Sequence, residues 1–357
     1  MELSLEKKIT VIGLMSGTST DGIDLVAALF QTINGIYQYE ILDAQFIPYD
    51  KTIQARLLAA DELSGRELKI LDRDLAIRFS NEINSFKKGK KWNAQLIASH
   101  GHTVFHDPAK GYTLQIASGA IISALTGLTV VSDFRQSDVS LGGQGAPLVP
   151  IGDLLLFNEY SYCLNLGGFA NISVKENGGI SAYDICPLNV IMNSLSLKLG
   201  KEYDKSGEFA QSGKLIPDLL NQLNKLPYYQ LSPPKSLGTE WVKSNINPLI
   251  ENLIAPPEDL LHTYVEHAAS QIADSIRTIG SNVLVTGGGS KNDYLLSRIR
   301  AKALHTTFDN SQAELVDFKE ALIFAFLGYL RIQGKANTIK DVTGAERPIS
   351  SGAVYLP

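Results

Sequence analysis

Cysteine is scarce in this sequence. Only two cysteines, Cys163 and Cys186, occur among its 357 residues. Two thiols cannot form the disulfide framework of a small secreted domain, nor the four-thiolate site of a structural zinc centre. Two cysteines without any other secretory feature indicate a reducing compartment, and we therefore expect a cytoplasmic protein.

Positive charge is not in excess either. Lys and Arg number 32 against 37 Asp and Glu, which gives a formal net charge of -5. Because nucleic acids and anionic membranes are bound by basic surfaces, we expect neither as a partner. The apolar fraction of 44% is that of an ordinary globular protein. The length indicates about two domains.

Targeting signals and membrane-spanning runs are also lacking. The start of the chain mixes acidic with basic residues, and the apolar run that follows breaks at Ser16 and Gly17 without a small-residue cleavage site. The longest uncharged stretch, residues 111–132, contains three glycines together with glutamine and hydroxyl residues. We therefore interpret this stretch as a buried helix followed by a strand.

The sequence does contain one pattern of strands twice. Three apolar segments at residues 8–14, 23–30 and 39–46 predict a meander. The same order of strands and turns occurs again at three later segments, residues 162–166, 170–174 and 180–185. Two similar meanders predict two copies of one α/β unit facing a shared cleft. Helices are expected over residues 53–86 (broken at Ser64 and Gly65), 260–279 and 321–330.

A loop of small and hydroxyl residues joins the first two predicted strands. Its residues are Gly17, Thr18, Ser19, Thr20, Asp21, Gly22, Ile23 and Asp24. Such a loop allows backbone N–H groups to approach a phosphate. Asp21 and Asp24 offer carboxylate oxygens for Mg²⁺, directly or through water. The alternative is a glycine-containing hairpin with an aspartate in its turn.

Two glycine-rich turns occur in the second half of the chain. The candidate ligand contacts in and beside them are Gly167, Gly168, Asn171, Gly287, Gly288 and Gly289. Consecutive glycines after a strand allow a flat ligand to lie against the backbone, and a helix beginning at Ser290 or Asn292 favours an anion. Neither the G-x-G-x-x-G pattern nor a P-loop pattern is present.

Asp184 stands at the end of the sixth predicted strand, before Pro187 and a predicted helix. A carboxylate that faces a cleft at this position can accept a proton from a hydroxyl or a water beside a transferring phosphoryl group. The alternative role is that of the N-cap of the helix. The local sequence leaves both roles open.

Three further residues are candidates for binding a polar substrate. For His100, hydrogen bonding is favoured over zinc binding because no cysteine lies near it, and a structural role is the stronger alternative. Arg135 has the geometry to clamp a carboxylate or phosphate, unless it pairs internally with Asp133 or Asp138. Glu320 opens the predicted helix at 321–330 and either faces the cleft or serves only the helix N-terminus.

Taken together, these segments resemble the anhydro-N-acetylmuramic acid kinase family of the actin, sugar-kinase and Hsp70 superfamily. The resemblance extends from Gly13 to Tyr355. It depends on six ordered segments, residues 15–24, 99–104, 133–150, 203–213, 286–289 and 319–321. It implies an α/β fold of two lobes with duplicated RNase H-like (actin-like ATPase) cores around a central nucleotide cleft. The implied first lobe comprises residues 1–130 and 340–357, and the second comprises residues 131–339 with helical insertions.

The resemblance also implies a reaction. Water would open the 1,6-anhydro ring of anhydro-N-acetylmuramic acid at C1 while O6 takes the γ-phosphoryl group of ATP, with Mg²⁺. The products would be N-acetylmuramic acid 6-phosphate and ADP, in peptidoglycan recycling. Asp184 would be the base that activates the water. The loop at 17–24 and the two glycine turns with Asn171 would contact the nucleotide, and Arg135, Glu320 and His100 would lie on the sugar side.

Three of the departures from the family pattern bear on the substrate, whereas a fourth, Phe169 in place of isoleucine, is expected to be tolerated. Cys186 and Leu188 stand where the family usually has glycine, and Thr239 stands where it usually has arginine. One alternative is a related sugar or amino-sugar kinase in which Asp184 deprotonates an alcohol. The others are a homologue without activity and a nucleotide-gated binding protein that transfers nothing to a small molecule. The family also suggests a homodimer.

Overall fold

The computed structural model describes residues 8–17, 19–176 and 178–357. The chain is a mixed α/β protein with two compact units. The first unit combines the chain up to Leu156 with residues 318–357, and the second comprises residues 157–317. These bounds differ from the lobes expected at 1–130 with 340–357 and at 131–339.

The first unit is built on one mixed sheet. Its strands are β1 (Ile9–Met15), β2 (Gly22–Ile33), β3 (Ile36–Pro48), β4 (Leu96–Ser99), β7 (Thr129–Ser132) and β13 (Ala353–Tyr355), in the order β13-β7-β4-β1-β2-β3. A separate hairpin contains β5 (His102–Asp107) and β6 (Tyr112–Ile116). β1, β2 and β3 form an antiparallel meander, β4 runs parallel to β1, and β7 runs parallel to β4. The expected meander is therefore present.

Helices complete the first unit. They are α1 (Lys51–Leu58), α2 (Gly65–Lys87), α3 (Gly119–Thr126), α4 (Gln136–Val139), α5 (Pro150–Leu155), α13 (Ala313–Ile332, which begins in the second unit) and α14 (Lys340–Thr343). The expected break at Ser64 is a capping box, in which Ser64 Oγ accepts from the Glu67 N–H and the Glu67 carboxylate accepts from the Ser64 N–H. The stretch at 111–132 forms β6, α3 and β7, with the expected helix and strand at its end.

Helix α13 explains one of the two differences between the observed and the expected division of the chain, the one near residue 318. It packs so closely on β1 that a Cβ on Gly13 would lie 2.0 Å from the Ala321 carbonyl oxygen. The apolar helix is therefore part of the core of the first unit from Phe318 onward. It also begins at Ala313, eight residues before the predicted start. Glu320 consequently lies inside the helix, and the alternative role at a helix N-terminus is wrong.

The second unit has a five-stranded sheet. Its strands are β8 (Tyr162–Leu166), β9 (Phe169–Glu176), β10 (Gly179–Pro187), β11 (Asn282–Thr286) and β12 (Thr307–Asp309), in the order β10-β9-β8-β11-β12. β8, β9 and β10 form an antiparallel meander, β11 runs parallel to β8, and β12 runs parallel to β11. Strands β3-β2-β1-β4-β7 of the first unit have the same order and the same directions.

Helices cover the sheet of the second unit. They are α6 (Asn189–Leu197), α7 (Glu208–Ser212), α8 (Pro217–Asn224), α9 (Thr239–Asn245), α10 (Asn247–Glu251), α11 (Pro257–Asp274) and α12 (Asp293–Lys302). Helix α11 contributes Leu261, Tyr264 and Val265 to the core, each with no exposed surface. Short 3₁₀ turns lie at Ala60–Glu62, Pro108–Lys110, Lys205–Gly207, Pro227–Gln230 and Gly288–Lys291. In the described ranges, no helix combines the length and the apolar character that crossing a membrane requires.

Candidate active site

Three polar side chains share one row across the meander of the second unit. In the register of the sheet, Asn171 of β9 lies opposite Asn165 of β8 on one side and opposite Asp184 of β10 on the other. Directly opposed residues of antiparallel strands point to the same face of a sheet. The pairing therefore gathers two amides and one carboxylate on one face, at the end of the sheet that carries the glycine turns.

The Asp184 carboxylate is half-buried and has a defined hydrogen-bond donor. The backbone N–H of Leu237 donates to Asp184 Oδ2 at 2.9 Å. Burial raises the pKa of Asp184, and the Leu237 N–H acts in the opposite direction. The alternative role of Asp184 as a helix cap is wrong, because β10 continues to Pro187 and the residue at the N-cap position of α6 is Leu188.

The glycine turns of the second unit are packed around Asn165. A Cβ on Gly287 would lie 2.5 Å from Asn165 Oδ1, and a Cβ on Gly167 would lie 3.2 Å from Asn165 Nδ2. Gly287 also has a φ of +83°, which glycine adopts without strain. Gly289 is buried against Leu166 of β8. Only Gly288 of the triple-glycine turn is exposed, so it is the position at which a ligand can touch bare backbone.

The turn at Gly167 and Gly168 is fastened to the start of helix α6. Asn189 Nδ2 donates to the Leu166 carbonyl at 3.0 Å and to the Gly167 carbonyl at 2.8 Å. The backbone N–H groups of Leu188 and Val190 donate to the Gly168 carbonyl. The N–H groups of Leu188 and Val190 are therefore used inside the chain, and they are not free for a phosphate.

A buried network of hydrogen bonds stabilises the loop after β1 in the first unit. Ser16 Oγ lies 2.8 Å from Tyr49 Oη and 3.1 Å from His102 Nδ1. The backbone N–H of Tyr49 donates to the Asp21 carbonyl at 2.9 Å. Burial lowers the pKa of His102 to about 4, so its ring is neutral near pH 7. The network fixes both ends of the loop.

The residues of that loop differ in their surroundings. Ser19 and Asp21 are exposed, and Ser19 Oγ donates to Asp21 Oδ1 at 2.6 Å. Thr20 is buried with a φ of +53°, and its N–H donates to the Gly17 carbonyl. The Ile23 side chain lies in the core of the first unit, so only its backbone is open to a ligand. Two other loop positions, Gly17 and Gly22, carry no side chain, and Thr18 lies outside the described residues.

Asp21 fits the type of site that Mg²⁺ occupies beside phosphates. Mg²⁺ keeps several waters and takes one or two carboxylates together with substrate phosphate oxygens. An exposed carboxylate on a loop of small residues satisfies that requirement, and Asp24 at the start of β2 is half-buried. Across the ranges that the structure describes, no group of three or more His, Cys, Asp or Glu side chains is arranged to hold a metal ion.

Arg135 and His100 form one hydrogen-bonded unit in the first unit of the chain. His100 Nδ1 lies 2.9 Å from the Gly101 carbonyl, so this nitrogen carries the proton and Nε2 is an acceptor. Arg135 donates to His100 Nε2 from Nε at 3.1 Å and from Nη2 at 2.9 Å. Its Nη1 donates to the Gly145 carbonyl at 2.8 Å. Burial, reinforced by Arg135, lowers the pKa of His100 and keeps it a neutral acceptor.

The glycine-rich loop beside Arg135 is organised by a buried carboxylate. Asp138 accepts from the Gly145 N–H at 2.8 Å and from Thr343 Oγ1 at 2.8 Å. No ion pair joins Arg135 to Asp133 or to Asp138 among the described residues, so the internal ion pair considered for Arg135 is wrong. Burial lowers the pKa of Arg135 to about 10, which still leaves it charged near pH 7.

Glu320 lies near Arg135, beside a buried ion pair. The Glu320 side chain reaches solvent. Loss of hydration beside the surrounding protein atoms nevertheless raises the pKa of its carboxyl group, and the positive charges of Arg135 and Lys319 act against that rise. Lys319 Nζ is 2.6 Å from Asp153 Oδ1, and both side chains are buried. The first unit therefore brings together the three residues predicted on the sugar side, His100, Arg135 and Glu320.

Comparison with known proteins places almost the whole chain in one family. The model of the family described as anhydro-N-acetylmuramic acid kinase matches residues 9–357. A protein named anhydro-N-acetylmuramic acid kinase from Aliivibrio fischeri is 37% identical over 366 residues, covering 96% of this chain and 98% of that protein. Proteins of the same name from Mannheimia succiniciproducens and Pseudomonas fluorescens are 34% and 35% identical, each over 96% of this chain and 98% of the relative.

The chain belongs to the anhydro-N-acetylmuramic acid kinase family. The resemblance stated from six sequence segments is thereby confirmed, and so is the expected enzyme class, a kinase that phosphorylates a sugar. Solved structures are more distant. Component A of the Acidaminococcus fermentans (R)-2-hydroxyglutaryl-CoA dehydratase is 13% identical, with a TM-score of 0.46, over 91% of this chain and 99% of that one.

The two departures from the family pattern beside Asp184 are turned into the core. Cys186 and Leu188 have no exposed surface, and both belong to the apolar cluster of the second unit. Leu188 packs behind the triple-glycine turn, where its Cδ2 would lie 3.2 Å from a Cβ on Gly289. Neither side chain reaches the solvent beside Asp184. The third departure, Thr239, is the exposed first residue of α9.

Several residues that position this site were not among the sequence candidates. Asn189 holds the Gly167 turn, Ser16 holds the loop after β1, and Asp138 holds the loop that accepts from Arg135. Asn189 and Asp138 lie in segments already singled out for their glycines and charges, so their polar side chains were a usable signal. The Leu237 N–H, in contrast, is a backbone group 53 residues from Asp184 and has no sequence signature.

Proposed function

We propose that this chain uses ATP to convert 1,6-anhydro-N-acetylmuramic acid into N-acetylmuramic acid 6-phosphate, with Asp184 as the general base. The family match over residues 9–357 supports the reaction class. The observation that carries the assignment of the base is the Asp184 carboxylate, which stands in a polar row with one oxygen held by Leu237. In this proposal the protein works in the cytoplasm, in peptidoglycan recycling.

The two units are proposed to be the two lobes of an actin-like ATPase. Support comes from their sheets, which share the strand order of a three-stranded antiparallel meander followed by two parallel strands. Each meander has a turn of small residues after its first strand, at 16–21 in the first unit and at 167–168 in the second. Both turns are then phosphate-facing loops, and Gly288 lies against the nucleotide.

The proposed reaction requires two events at the sugar. Asp184 takes a proton from a water molecule, and the water oxygen bonds to C1 while the bond from C1 to the bridging oxygen breaks. The oxygen released at C6 attacks the γ-phosphorus of ATP, and ADP leaves. A base with a raised pKa suits this step because its conjugate acid is not too strong to form near neutral pH.

The charged residues of the first unit are proposed to orient the sugar. Arg135 has N–H groups left over after its bonds to His100 and Gly145, and these can hold a carboxylate of the substrate. Asp21 is the proposed Mg²⁺ ligand, directly or through water, and a bound Mg²⁺ would neutralise charge on the phosphates. Every other step is carried by side chains of the chain itself.

The test of the base compares the native protein with Asp184→Asn. Native protein with ATP, Mg²⁺ and the anhydro sugar is expected to release ADP only when the sugar is present. Asp184→Asn should lower turnover about a thousandfold, because the amide cannot take the proton. ATP binding, measured by calorimetry, should be nearly unchanged.

The matched control is Asp274→Asn, which removes an exposed carboxylate at the end of α11. This variant should turn over at the native rate. If Asp184→Asn also turned over near the native rate, the assignment of the base would be wrong. If native protein bound ATP but released no ADP with the sugar, the proposed substrate would be wrong, and an altered substrate or a lost activity would remain.

A further inference from the structure

Asp184 lies at a β-bulge, and residues outside the sheet bind its backbone groups. The register between β10 and β9 shifts between Asp184 and Cys186. At this shift the Asp184 N–H donates to the Lys235 carbonyl at 3.1 Å, and Tyr228 Oη donates to the Asp184 carbonyl at 2.6 Å. Since the Leu237 N–H binds the carboxylate, three groups of Asp184 are held by residues 228–237. We call this set of bonds the Asp184 clasp.

The tyrosine of the clasp is itself fixed on several sides. Tyr228 is only 5% exposed, and its ring centroid lies 5.4 Å from that of Trp241. Lys235 Nζ donates to the Tyr228 carbonyl at 3.3 Å and lies 4.8 Å from the centre of its ring. Burial raises the pKa of Tyr228, so the phenol keeps the proton that it donates to Asp184. The hydroxyl therefore has a fixed position and a fixed role as donor.

A bulge redirects the side chain of the strand that carries it, and bulges are frequent beside active sites. In a bulge without such partners, only the local backbone conformation would set the direction of the Asp184 side chain. In the clasp, the N–H and the carbonyl on the two sides of that side chain are both hydrogen-bonded. We propose that Tyr228 is a positioning residue, which holds the Asp184 bulge so that the carboxylate meets both the Leu237 N–H and the substrate water. This proposal rests on the function proposed for Asp184 above.

The test removes one oxygen atom. Tyr228→Phe keeps the ring and deletes the hydroxyl that binds the Asp184 carbonyl. We expect kcat to fall about tenfold, because small displacements of a reacting group are costly, while KM for ATP stays near the native value. The matched control is Tyr229→Phe, which removes the hydroxyl of the neighbouring half-buried tyrosine, bound to His267 Nε2 at 3.0 Å instead of to β10.

The pH profile separates positioning from mere loss of stability. Asp184 acts as a base only when it is deprotonated, so kcat/KM must fall as the pH drops through the pKa of Asp184. Burial raises that pKa, and the Leu237 N–H lowers it. When the clasp is loosened, the lowering effect weakens, and the acidic limb should move to higher pH by about 0.5 unit or more. Tyr229→Phe should leave the limb in place.

A second variant guards against a folding defect in Tyr228→Phe. Lys235→Met keeps the aliphatic stem against the tyrosine ring and removes the bond from Nζ to the Tyr228 carbonyl. It should shift the acidic limb in the same direction by a smaller amount. Native kcat and an unmoved limb in both variants would overturn the proposal, as would equal changes in Tyr229→Phe. The role of Asp184 is judged separately, since only an active Asp184→Asn would contradict it.

Discussion

At the scale of single residues, the hydrogen bonds of Arg135 and His100 indicate different roles for these two side chains in the first unit. His100 and Gly145 accept from three of the five side-chain N–H groups of Arg135 and leave two for a ligand. His100 is buried, with one nitrogen used by Gly101 and the other by Arg135. We therefore expect His100 to act on the sugar through Arg135.

Replacing His100 tests that expectation. His100→Phe keeps a ring next to Phe324, which lies 4.7 Å away between ring centroids, and removes the acceptor for Arg135. The guanidinium loses two bonds, so KM for the sugar should rise about tenfold while KM for ATP stays unchanged. Steady-state kinetics with each substrate varied in turn measure both constants.

The control for this variant is His106→Phe, at an exposed histidine whose Nδ1 contacts Thr113 Oγ1. It should change neither constant. An unchanged KM for the sugar in a folded His100→Phe protein would contradict the role assigned to His100 and, with it, the orientation of Arg135.

The sequence indicates the chemistry of a candidate side chain more readily than the partners that hold that side chain in place. Asp184 and Arg135 could be named as candidates because few other side chains provide a base or a bidentate cation in a glycine-rich context, and their roles stay predictions. Which alternative role each one has depended on partners that only the fold brings near. Arg135 binds His100 and Gly145 instead of a neighbouring aspartate, because the loop at 142–145 is closed by the buried Asp138.

At the scale of elements, alanine substitutions in the triple-glycine turn after β11 should have different effects, because Gly288 and Gly289 have different surroundings. A Cβ on Gly289 would lie 2.9 Å from the Leu166 carbonyl oxygen, so Gly289→Ala should destabilise the fold by about 1–3 kcal/mol. A Cβ on Gly288 would meet only Asn189 Nδ2, at 4.0 Å. Gly288→Ala should therefore leave the thermal midpoint unchanged and raise KM for ATP.

Thermal unfolding and ATP kinetics on the two alanine variants check this prediction. Each variant serves as the control of the other, because the added methyl group is the same. An unchanged KM for ATP in Gly288→Ala would show that the nucleotide does not touch this turn. A stable Gly289→Ala protein would contradict the close packing of the turn on β8.

Strands were easier to predict than the ends of elements. The alternating and apolar segments gave both meanders, since each strand is bounded by glycine or asparagine turns. The start of α13 was missed because four charged residues, Glu314, Asp317, Lys319 and Glu320, interrupt the apolar pattern of the first eight residues of the helix. The extension of β10 past Asp184 was missed because a bulge inserts an extra residue into the strand without a sequence signal.

At the scale of the whole molecule, the candidate residues are distributed over both units of the chain. The second unit holds the Asp184 row and the glycine turns, and the first unit holds Arg135, Glu320 and the loop that ends at Asp24. The three meander strands of each sheet were accessible from sequence, whereas the places of the other strands in the two sheets were not predicted. The chain passes between the units at two points, and the second of these was not accessible from sequence because it falls inside the continuous helix α13. The homodimer stays a prediction.

The central claim is that water and a phosphoryl group are added to one anhydro sugar. The most direct measurement is the mass of the product formed from 1,6-anhydro-N-acetylmuramic acid and ATP in ordinary water and in ¹⁸O-labelled water. The account predicts a product heavier than the substrate by one phosphoryl group and one water, with the ¹⁸O label at C1. A product heavier by the phosphoryl group alone, without label, would contradict it and indicate transfer to an ordinary sugar hydroxyl.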